Sequence, residues 1–460
     1  MLTVRWTFGE NVVLKYWLFI AALTLAASAA PAQQPNPLSV PEACRASSQD
    51  TLPELAKRKQ RLDQETTRAA NKMAAAKGWA KTEADIKQAE AALRASQEKL
   101  LRVTFQIECA RAQAELQAAA EAPANRAPAS KKAEVVEVVT YYATNRNQTE
   151  SREATKVYGP KFDSSLHYGR AVVTIPLTHV AGKLELPTLW KVQREPDPSK
   201  HFVLKSVTPL DQDSVRNEMQ EKLAATGRSA ILLFVHGYNL GFPEAAMRTA
   251  QLAHDLRFGG LPFFFSWPSA NQLLSYWQDE ETAQISEPMF GKLLDDLSKL
   301  PATDLYIIAH SMGGRIVSQA LKTRVDTAKE TKHVRELLLA APDINADLFR
   351  TVIAPKLSAM QGTRTTIYAA SSDLALRASK VVHGFRRLGE TTGGVFTHQG
   401  FETIDASTAT QVSRAYGHLY LMDNTMVLKD VRTIIEHKYS AKQRGLSEVG
   451  QLPNIFWRLN

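Results

Sequence analysis

The residues in this chain that are best placed to do chemistry are a serine and its neighbours. In the segment DLYIIAHSMGG, residues 304–314, an apolar run leads to His310 and Ser311, and Met312 and Gly313 follow at once. A serine hydroxyl is a weak nucleophile until a base accepts its proton and a carboxylate orients that base. The segment therefore predicts nucleophilic attack by Ser311, provided that the chain also supplies a histidine and an acid.

The pattern around Ser311 predicts a strand, a sharp turn and a helix. It matches the nucleophile elbow G-x-S-x-G, with Ala309 in the place of the first glycine. Small flanking residues let the strand and the helix pass closely, and the helix N-terminus directs backbone N–H groups toward developing negative charge. The N–H of Met312 is therefore a candidate oxyanion donor. A plain strand-to-helix loop with a capping serine is the alternative.

A second loop, His236-Gly237-Tyr238-Asn239, also follows an apolar strand and precedes a helix, two strands before Ser311. In folds with a nucleophile elbow, a loop at this position supplies the other oxyanion donor, and we expect that donor to be the N–H of Tyr238. His236 itself need not touch substrate and is expected to be a structural residue in a tight turn. The two motifs in this order are far more specific than either motif alone.

Two further motifs make the chain resemble the α/β-hydrolase superfamily. One is Y-x-A/F-T-N-R, present here as Tyr141 to Arg146, and the other is F-S-W-P-S, present as Phe265 to Ser269. In these motifs the chain is most similar to a family of largely uncharacterised bacterial α/β hydrolases. The resemblance covers roughly residues 135 to 440. It implies a fold and a catalytic architecture, and little about the substrate.

The resemblance implies a triad in the chain order serine, acid, histidine. Two acids follow strand-like runs downstream of Ser311: Asp343 in AAPDIN and Asp373 in SSDLAL. The usual acid follows the second strand after the nucleophile, which favours Asp373. Asp343 is the alternative, and its other role would be to cap the helix that follows Ile344.

The base must come from one of the five histidines downstream of Ser311. His418 is the first histidine after the strand-like run FETIDA, and it fits the family's G-H-x-Y pattern as GHLY, residues 417–420. His398 precedes that run and His437 lies late on the last helix, so both are expected at the surface. A buried structural role is the alternative for His418. The remaining two are His333 and His383.

From residue 134 onward, short apolar runs alternate with amphipathic helical stretches. This pattern predicts an α/β domain with a mainly parallel central sheet, the α/β-hydrolase fold. The fully apolar runs belong at the centre, because parallel strands covered on both faces need not alternate. We place this domain at 134–440, after an Ala/Pro linker at 119–133 and before a C-terminal tail at 441–460. The nine strand-like runs are VVEVVTYYATNR, GRAVVTIP, FVLKSV, AILLFVHG, LPFFFSW, DLYIIAHS, ELLLAAP, TTIYAAS and FETIDA.

Residues 1–32 have the composition of a secretory signal peptide. Arg5 and Lys15 precede an apolar block, Tyr16 to Ala27, and small residues with A-x-A-like cleavage points follow. A block of this length is short for a bilayer span, so a retained anchor is the less favoured alternative. We expect export to the bacterial periplasm or cell envelope.

Residues 44–118 carry two heptad-spaced apolar runs on either side of Gly78, which predict a coiled-coil-like α-helical hairpin. If the chain folds back at Gly78, Cys44 comes to lie near Cys109. A disulfide between them would close the open end of the hairpin and would fit an oxidising compartment. Two free thiols, or one continuous helix that dimerises, are the alternatives. The hairpin is a candidate surface for a protein or membrane partner.

The sequence also indicates what borders the site. Little chain separates the run ELLLAA from the next helix, so a large lid is not expected. The segments Ser269 to Glu281, with Tyr276 and Trp277, and Leu388 to Gly400 are expected to border the pocket. Trp267 and these aromatic residues are candidates for an apolar acyl site, and core packing is the alternative role for Trp267.

Composition and the remaining motifs narrow the function. With 44% hydrophobic residues the chain can bury a large core, and its net charge of +9 comes from scattered Lys and Arg, which favours solubility over nucleic-acid binding. There is no HExxH, no CxxC pair and no nucleotide-binding fingerprint, so no metal or cofactor is expected. We expect an exported serine hydrolase acting on small-molecule carboxylic esters, with amides and thioesters left open. A non-catalytic envelope scaffold that binds partners through the hairpin is the alternative.

Overall fold

The computed structural model describes most of the chain from Val135 onward and part of the region before it. None of the helices within these described ranges combines the length and the apolarity that crossing a bilayer requires. The described residues are 51–78, 82, 84–85, 88, 92, 95–96, 99, 103, 106, 135–187, 196–271, 275–300, 303–331, 333–371, 373–410 and 418–459.

The described residues form one sheet of eleven strands in the order β10-β11-β9-β8-β7-β6-β4-β5-β1-β2-β3. The run from β11 to β1 is parallel throughout. Only the outer pairs β1–β2, β2–β3 and β10–β11 are antiparallel. The strands are β1 (Val135–Gln148), β2 (Tyr158–Pro176), β3 (Val203–Leu210), β4 (Ala230–Val235), β5 (Leu261–Ser266), β6 (Asp304–His310), β7 (Val334–Ala340), β8 (Arg364–Ala369), β9 (Phe401–Asp405), β10 (Ser447–Val449) and β11 (Phe456–Arg458).

Helices cover both faces of this sheet, and the composition of the central strands reflects that. In β6, Ile307 and Ile308 are both fully buried, but they belong to two different apolar cores. In β7, Leu338 and Leu339 divide in the same way. Successive side chains point to opposite faces, so a strand with a core on each side is apolar at every position. This is why the central strands are continuous apolar runs in the sequence.

Of the helices whose bounds the structure describes, one lies in the N-terminal region and the others accompany the sheet; the described residues between 84 and 106 are helical as well. The helices are α1 (Leu52–Gly78), α2 (Gln212–Thr226), α3 (Phe242–Asp255), α4 (Tyr276–Leu297), α5 (Gly313–Asp326), α6 (Ala346–Leu348), α7 (Ala354–Ser358), α8 (Leu374–His383), α9 (Ser407–Thr410), α10 (Tyr420–Asp423) and α11 (Thr425–His437). A 3₁₀ turn at Ala154–Lys156 precedes β2, and a π-helical segment, Phe349–Ile353, joins α6 to α7. Apolar side chains of α4 and α5 belong to one core, and those of α3 and α11 belong to the other.

The parallel strands all end at one edge of the sheet, and the candidate site residues follow those ends. His236 follows β4, Ser311 follows β6, Asp343 comes after β7 and Asp373 comes after β8. Ligands in open α/β sheets bind outside the carboxyl ends of the strands. The topology thus brings residues far apart in the chain to one edge.

The predicted fold class is confirmed, and all nine expected strands are present as β1 to β9. The sequence did not predict β10 and β11, which lie in the segment assigned as a C-terminal tail. β11 adds to the sheet through parallel pairing of Trp457 with Ile404 and of Arg458 with Asp405.

The N-terminal predictions are described only in part. α1 coincides with the first heptad run, and Leu55 and Leu62, seven residues apart, are both buried. The signal-peptide segment, both cysteines and most of the second heptad run lie outside the described residues. The hairpin and the disulfide therefore stay predictions.

Candidate active site

Ser311 occupies the sharp turn between β6 and α5. Its φ is 53°, in the left-handed region that non-glycine residues rarely adopt. A backbone held in this region is strained, and such residues cluster at functional sites. Gly313 allows the turn to pack closely, because a Cβ there would lie 2.5 Å from the carbonyl oxygen of His236. Ala309, in the place of the elbow's first glycine, is fully buried within β6.

The loop after β4 packs directly against this elbow. A Cβ on Gly237 would lie 2.8 Å from Cβ of Ser311 and 2.8 Å from Nδ1 of His310. Only glycine allows the two backbones to come this close. Tyr238 is the next residue after Gly237, so its backbone lies one residue away from the contact with Ser311. The N–H of Met312 stands just before α5, among the first N–H groups that have no partner within the helix.

His236 is a fully buried residue that holds the loop in shape. Its Nδ1–H donates to the carbonyl of Gly237 at 2.8 Å, and its Nε2 accepts from the hydroxyl of Ser266 at 3.3 Å. The imidazole stacks on the ring of Trp267, with centroids 5.2 Å apart. Burial and the nearby charge of Arg146 lower the pKa of His236 to about 3, so the ring stays neutral. Trp267 is fully buried and donates to the carbonyl of His236, so it serves core packing.

Arg146 links the Y-x-A/F-T-N-R and F-S-W-P-S motifs to the loop that follows β4. Its Nε donates to Ser266 at 2.8 Å, its Nη1 donates to the carbonyl of Ser269 at 3.1 Å, and its Nη2 donates to the carbonyl of Leu240 at 2.8 Å. The guanidinium is buried, and burial lowers the pKa of Arg146 to about 10. The arginine that ends the first motif therefore supports the loop that follows β4.

Asp373, which is fully buried, and His418, which is half-buried, form an acid–base pair. Nδ1 of His418 lies 2.7 Å from Oδ2 of Asp373, whose side chain is fully buried. The other carboxylate oxygen accepts from the N–H of Leu376 at 3.0 Å and so caps α8. Burial by itself lowers the pKa of His418, but the charge and the hydrogen bond of Asp373 outweigh it and raise that pKa above its ordinary value. With Nδ1–H committed to the carboxylate, Nε2 is the nitrogen that can accept a proton.

His418 lies beside the nucleophile elbow through its contact with His310. The two imidazole centroids are 4.7 Å apart, and Nε2–H of His310 donates to the carbonyl of His418 at 3.0 Å. These contacts tie His418 to the residue that directly precedes Ser311. No hydrogen bond joins Oγ of Ser311 to His418 in the described structure. In free enzymes this bond is often long, and it tightens once substrate is bound.

Comparison with known proteins finds a family match for the central part of the chain. Residues 211–437 match the model of a family described as "Alpha/beta hydrolase of unknown function (DUF900)". Residues 211–437 are therefore those of an α/β hydrolase. It is also 36% identical over 152 residues to the uncharacterized protein alr1448 of Nostoc sp. strain PCC 7120, a match that covers 27% of this chain and 38% of that protein. The chain thus spans well under half of this curated relative.

Three solved structures show weaker likeness. A YdeN-like hydrolase of Pectobacterium atrosepticum is 13% identical, with 46% of this chain and 98% of that chain covered and a TM-score of 0.22. Phospholipase PlaB of Legionella pneumophila, in complex with thio-NAD, is 12% identical, with 50% and 67% covered and a TM-score of 0.23. Carboxyl esterase 2 of Tuber melanosporum is 11% identical, with 71% and 97% covered and a TM-score of 0.27. Likenesses of this size carry no argument about activity.

Asp343 faces arginines and does not pair with His418. Its carboxylate lies 3.2 Å from Nε of Arg387 and 3.6 Å from Nη2 of Arg315, and it accepts from the hydroxyls of Tyr276 and Ser379. Burial raises the pKa of Asp343, but the two arginines outweigh it and hold that pKa below the ordinary value.

Asp343 nevertheless touches the elbow through its backbone. Its N–H donates to the carbonyl of Ser311 at 3.2 Å. Asp343 therefore anchors a buried polar cluster against the site. No sequence pattern predicts this cluster, because its partners Tyr276, Arg315, Ser379 and Arg387 come from three helices and one loop.

Of the two aromatic residues at the start of α4, Tyr276 is packed and Trp277 is exposed. The ring of Tyr276 packs on that of Tyr238, with centroids 5.3 Å apart, and its hydroxyl enters the Asp343 cluster. Trp277 is 59% exposed and contacts the ring of His383. His383 in turn lies 3.1 Å from Glu280 and takes no part in the acid–base pair.

The other candidate histidines lie away from the acid–base pair. His398 is half-buried, and its Nδ1–H donates to the carbonyl of Gln399. His437 is exposed at the end of α11, and His333 lies just before β7, at the opposite edge of the sheet. Among the five downstream histidines, His418 alone contacts a buried carboxylate beside the elbow.

Proposed function

We propose that this chain is an exported serine hydrolase that cleaves carboxylic esters through an acyl-enzyme. The observation that carries the proposal is the pairing of His418 with the buried Asp373, together with the contact of His418 with His310, the residue before the strained Ser311. A hydroxyl, an imidazole and a buried carboxylate in this arrangement are the parts that serine nucleophiles require.

The first half of the reaction forms the acyl-enzyme. Oγ of Ser311 attacks the ester carbonyl carbon while Nε2 of His418 takes the hydroxyl proton, and Asp373 stabilises the imidazolium. The carbonyl oxygen becomes an oxyanion, for which the backbone N–H groups of Met312 and Tyr238 are the donors. Collapse of this intermediate breaks the bond to the alcohol, which leaves with the proton from His418.

The second half restores the enzyme. A water molecule gives its proton to Nε2 of His418 and attacks the acyl carbon, passing through a second oxyanion. When this intermediate collapses, the carboxylic acid leaves and Ser311 recovers its proton from the imidazolium. One ester and one water thus give one acid and one alcohol.

Esters are the substrate class that we propose, although the same machinery can attack amides and thioesters. The test is hydrolysis of p-nitrophenyl esters of increasing acyl length, with the matching p-nitroanilides as the comparison. We expect turnover of esters, loss of that turnover in Ser311→Ala, and much slower release from the anilides. Equal turnover by wild type and Ser311→Ala would overturn the serine mechanism.

Export is proposed from residues 1–32 alone. A periplasmic or envelope location also fits the proposed Cys44–Cys109 disulfide, since such bonds persist in oxidising compartments. Fractionation of expressing bacterial cells tests it, with N-terminal sequencing of the mature protein. Recovery of the uncleaved chain in the cytoplasmic fraction would contradict the proposal.

A further inference from the structure

A second group of chemically capable side chains lies at the end of α3 farthest from the loop that follows β4. His179, from the loop after β2, meets His254 and Asp255, the last residues of α3. Each of the three offers a ligand atom, and these atoms all lie within 4.8 Å of one another. The side chains of His179 and Asp255 are almost fully buried. None of these residues contributes to the hydrolytic mechanism.

Neighbouring groups orient His179 and Asp255 toward a common point. Nδ1 of His179 lies 2.8 Å from a carboxylate oxygen of Glu185, which leaves Nε2 facing Asp255 at 2.8 Å. Oδ2 of Asp255 accepts from the N–H of Gly182 at 2.9 Å and from the side-chain amide of Gln251 at 3.3 Å, so Oδ1 is the oxygen that faces His179. Metal-ligating histidines characteristically bond a carboxylate through their other ring nitrogen.

His254 completes the group and is available as a ligand. Its ring stands edge-to-face against that of His179, with centroids 5.4 Å apart. In the part of the chain that the structure describes, its ring nitrogens make no hydrogen bond. Two imidazoles and one carboxylate form a donor set that Zn²⁺ accepts, with a fourth position for water.

We propose that His179, His254 and Asp255 bind Zn²⁺, with Glu185 orienting His179. The carboxylates of Asp255 and Glu185 balance the charge of a divalent cation. Bound metal would fasten the loop after β2 to the end of α3, so its effect is on stability. The inference rests on contacts separate from Ser311 and holds whether or not the proposed hydrolysis is correct.

The test is Zn²⁺ binding by the untagged full chain after removal of metal with a chelator. Calorimetric titration with Zn²⁺ is compared among wild type, His254→Gln, Glu185→Gln and a control, His437→Gln, which changes an exposed histidine outside the group. We expect binding of one Zn²⁺ at this site in wild type and control, its loss in His254→Gln, and a weakening of about 10- to 100-fold in Glu185→Gln.

A second measurement keeps folding and binding apart. Circular dichroism verifies that each variant is folded before titration, and the melting temperature is then recorded with and without Zn²⁺. A ligand that binds only the folded state raises the melting temperature, so we expect a rise in wild type and control and none in His254→Gln. Equal Zn²⁺ affinity in wild type and folded His254→Gln, or no binding by wild type, would overturn the proposal.

Discussion

Nδ1 of His418 lies 2.7 Å from the buried carboxylate of Asp373, across 45 residues of chain. The contact fixes the imidazole so that its second nitrogen is available to a nucleophile. The carboxylate of Asp343, by contrast, forms ion pairs with Arg315 and Arg387. The two acids that the sequence left open are thereby distinguished by their partners, and a pair of variants separates their roles.

Asp373→Asn is expected to lower kcat by about 10⁴-fold, because an amide can hold the imidazole in the wrong tautomer. Asparagine is also a good helix cap, so α8 should remain capped and the protein folded. The measurement is ester hydrolysis, with urea unfolding as the check on stability.

Asp343→Asn is the matched comparison and should act on stability. It leaves the buried Arg387 without its carboxylate, while Arg315 keeps Glu280, at a cost of about 3–5 kcal/mol in the free energy of unfolding. If Asp343→Asn instead removed activity in a protein of unchanged stability while Asp373→Asn stayed active, the assignment of the acid would be reversed.

The activity should depend on pH through His418. The base must be neutral to accept a proton, and Asp373 raises the pKa of His418 above its ordinary value of 6.5. We therefore expect kcat/KM to rise with pH and to level off only above an inflection higher than 6.5. The profile is obtained from initial rates of ester hydrolysis between about pH 5 and pH 9. The rate of spontaneous ester hydrolysis is subtracted at each pH. An inflection below 6.5 would contradict the contact.

His310 is expected to position the base. Its Nε2–H donates to the carbonyl of His418, and its ring contacts the imidazole of that residue. His310→Leu removes the donor, and we expect kcat to fall by up to about 100-fold while KM changes little, since misplacement of a catalytic group costs roughly this much. His310→Gln keeps an N–H donor and should recover most of the loss. Equal losses in both variants would argue for a packing role alone.

Gly237→Ala should damage catalysis while leaving the protein folded. The new Cβ would lie 2.8 Å from Cβ of Ser311, so the loop that carries Tyr238 must move away from the elbow. Loss of one oxyanion donor costs about 100- to 1,000-fold in kcat.

Gly291→Ala is the matched control for this change. Gly291 lies inside α4, and a Cβ there meets no other atom within 4 Å. Alanine is the better helix former, so this variant should keep full activity and gain up to about 1 kcal/mol in stability. A fully active Gly237→Ala enzyme would remove the case for this oxyanion loop.

Much of the site was predictable because chain order and strand ends determine it. Ser311, Asp373 and His418 each follow an apolar run, and parallel strands bring such ends to one edge. The choice between Asp373 and Asp343 needed the structure, since it depends on which acid meets the arginines.

The last two strands and the His179 group leave no recognisable pattern in the sequence. β10 and β11 have three residues each, too few for a periodicity to show. The His179 group had no recognisable metal-ligand spacing, because it joins one histidine of a loop to a pair about 75 residues later on a helix. Both depend on contacts that only the folded chain brings together.

The central claim is that Ser311 is a nucleophile, and covalent labelling tests it most directly. Wild type, Ser311→Ala and Asp373→Asn are treated with a fluorophosphonate, and intact-protein and peptide mass spectrometry locate the adduct. The account predicts one adduct per chain on Ser311 in wild type, slow labelling in Asp373→Asn and none in Ser311→Ala. A folded wild-type protein that stays unlabelled, or an adduct that persists in Ser311→Ala, would contradict it.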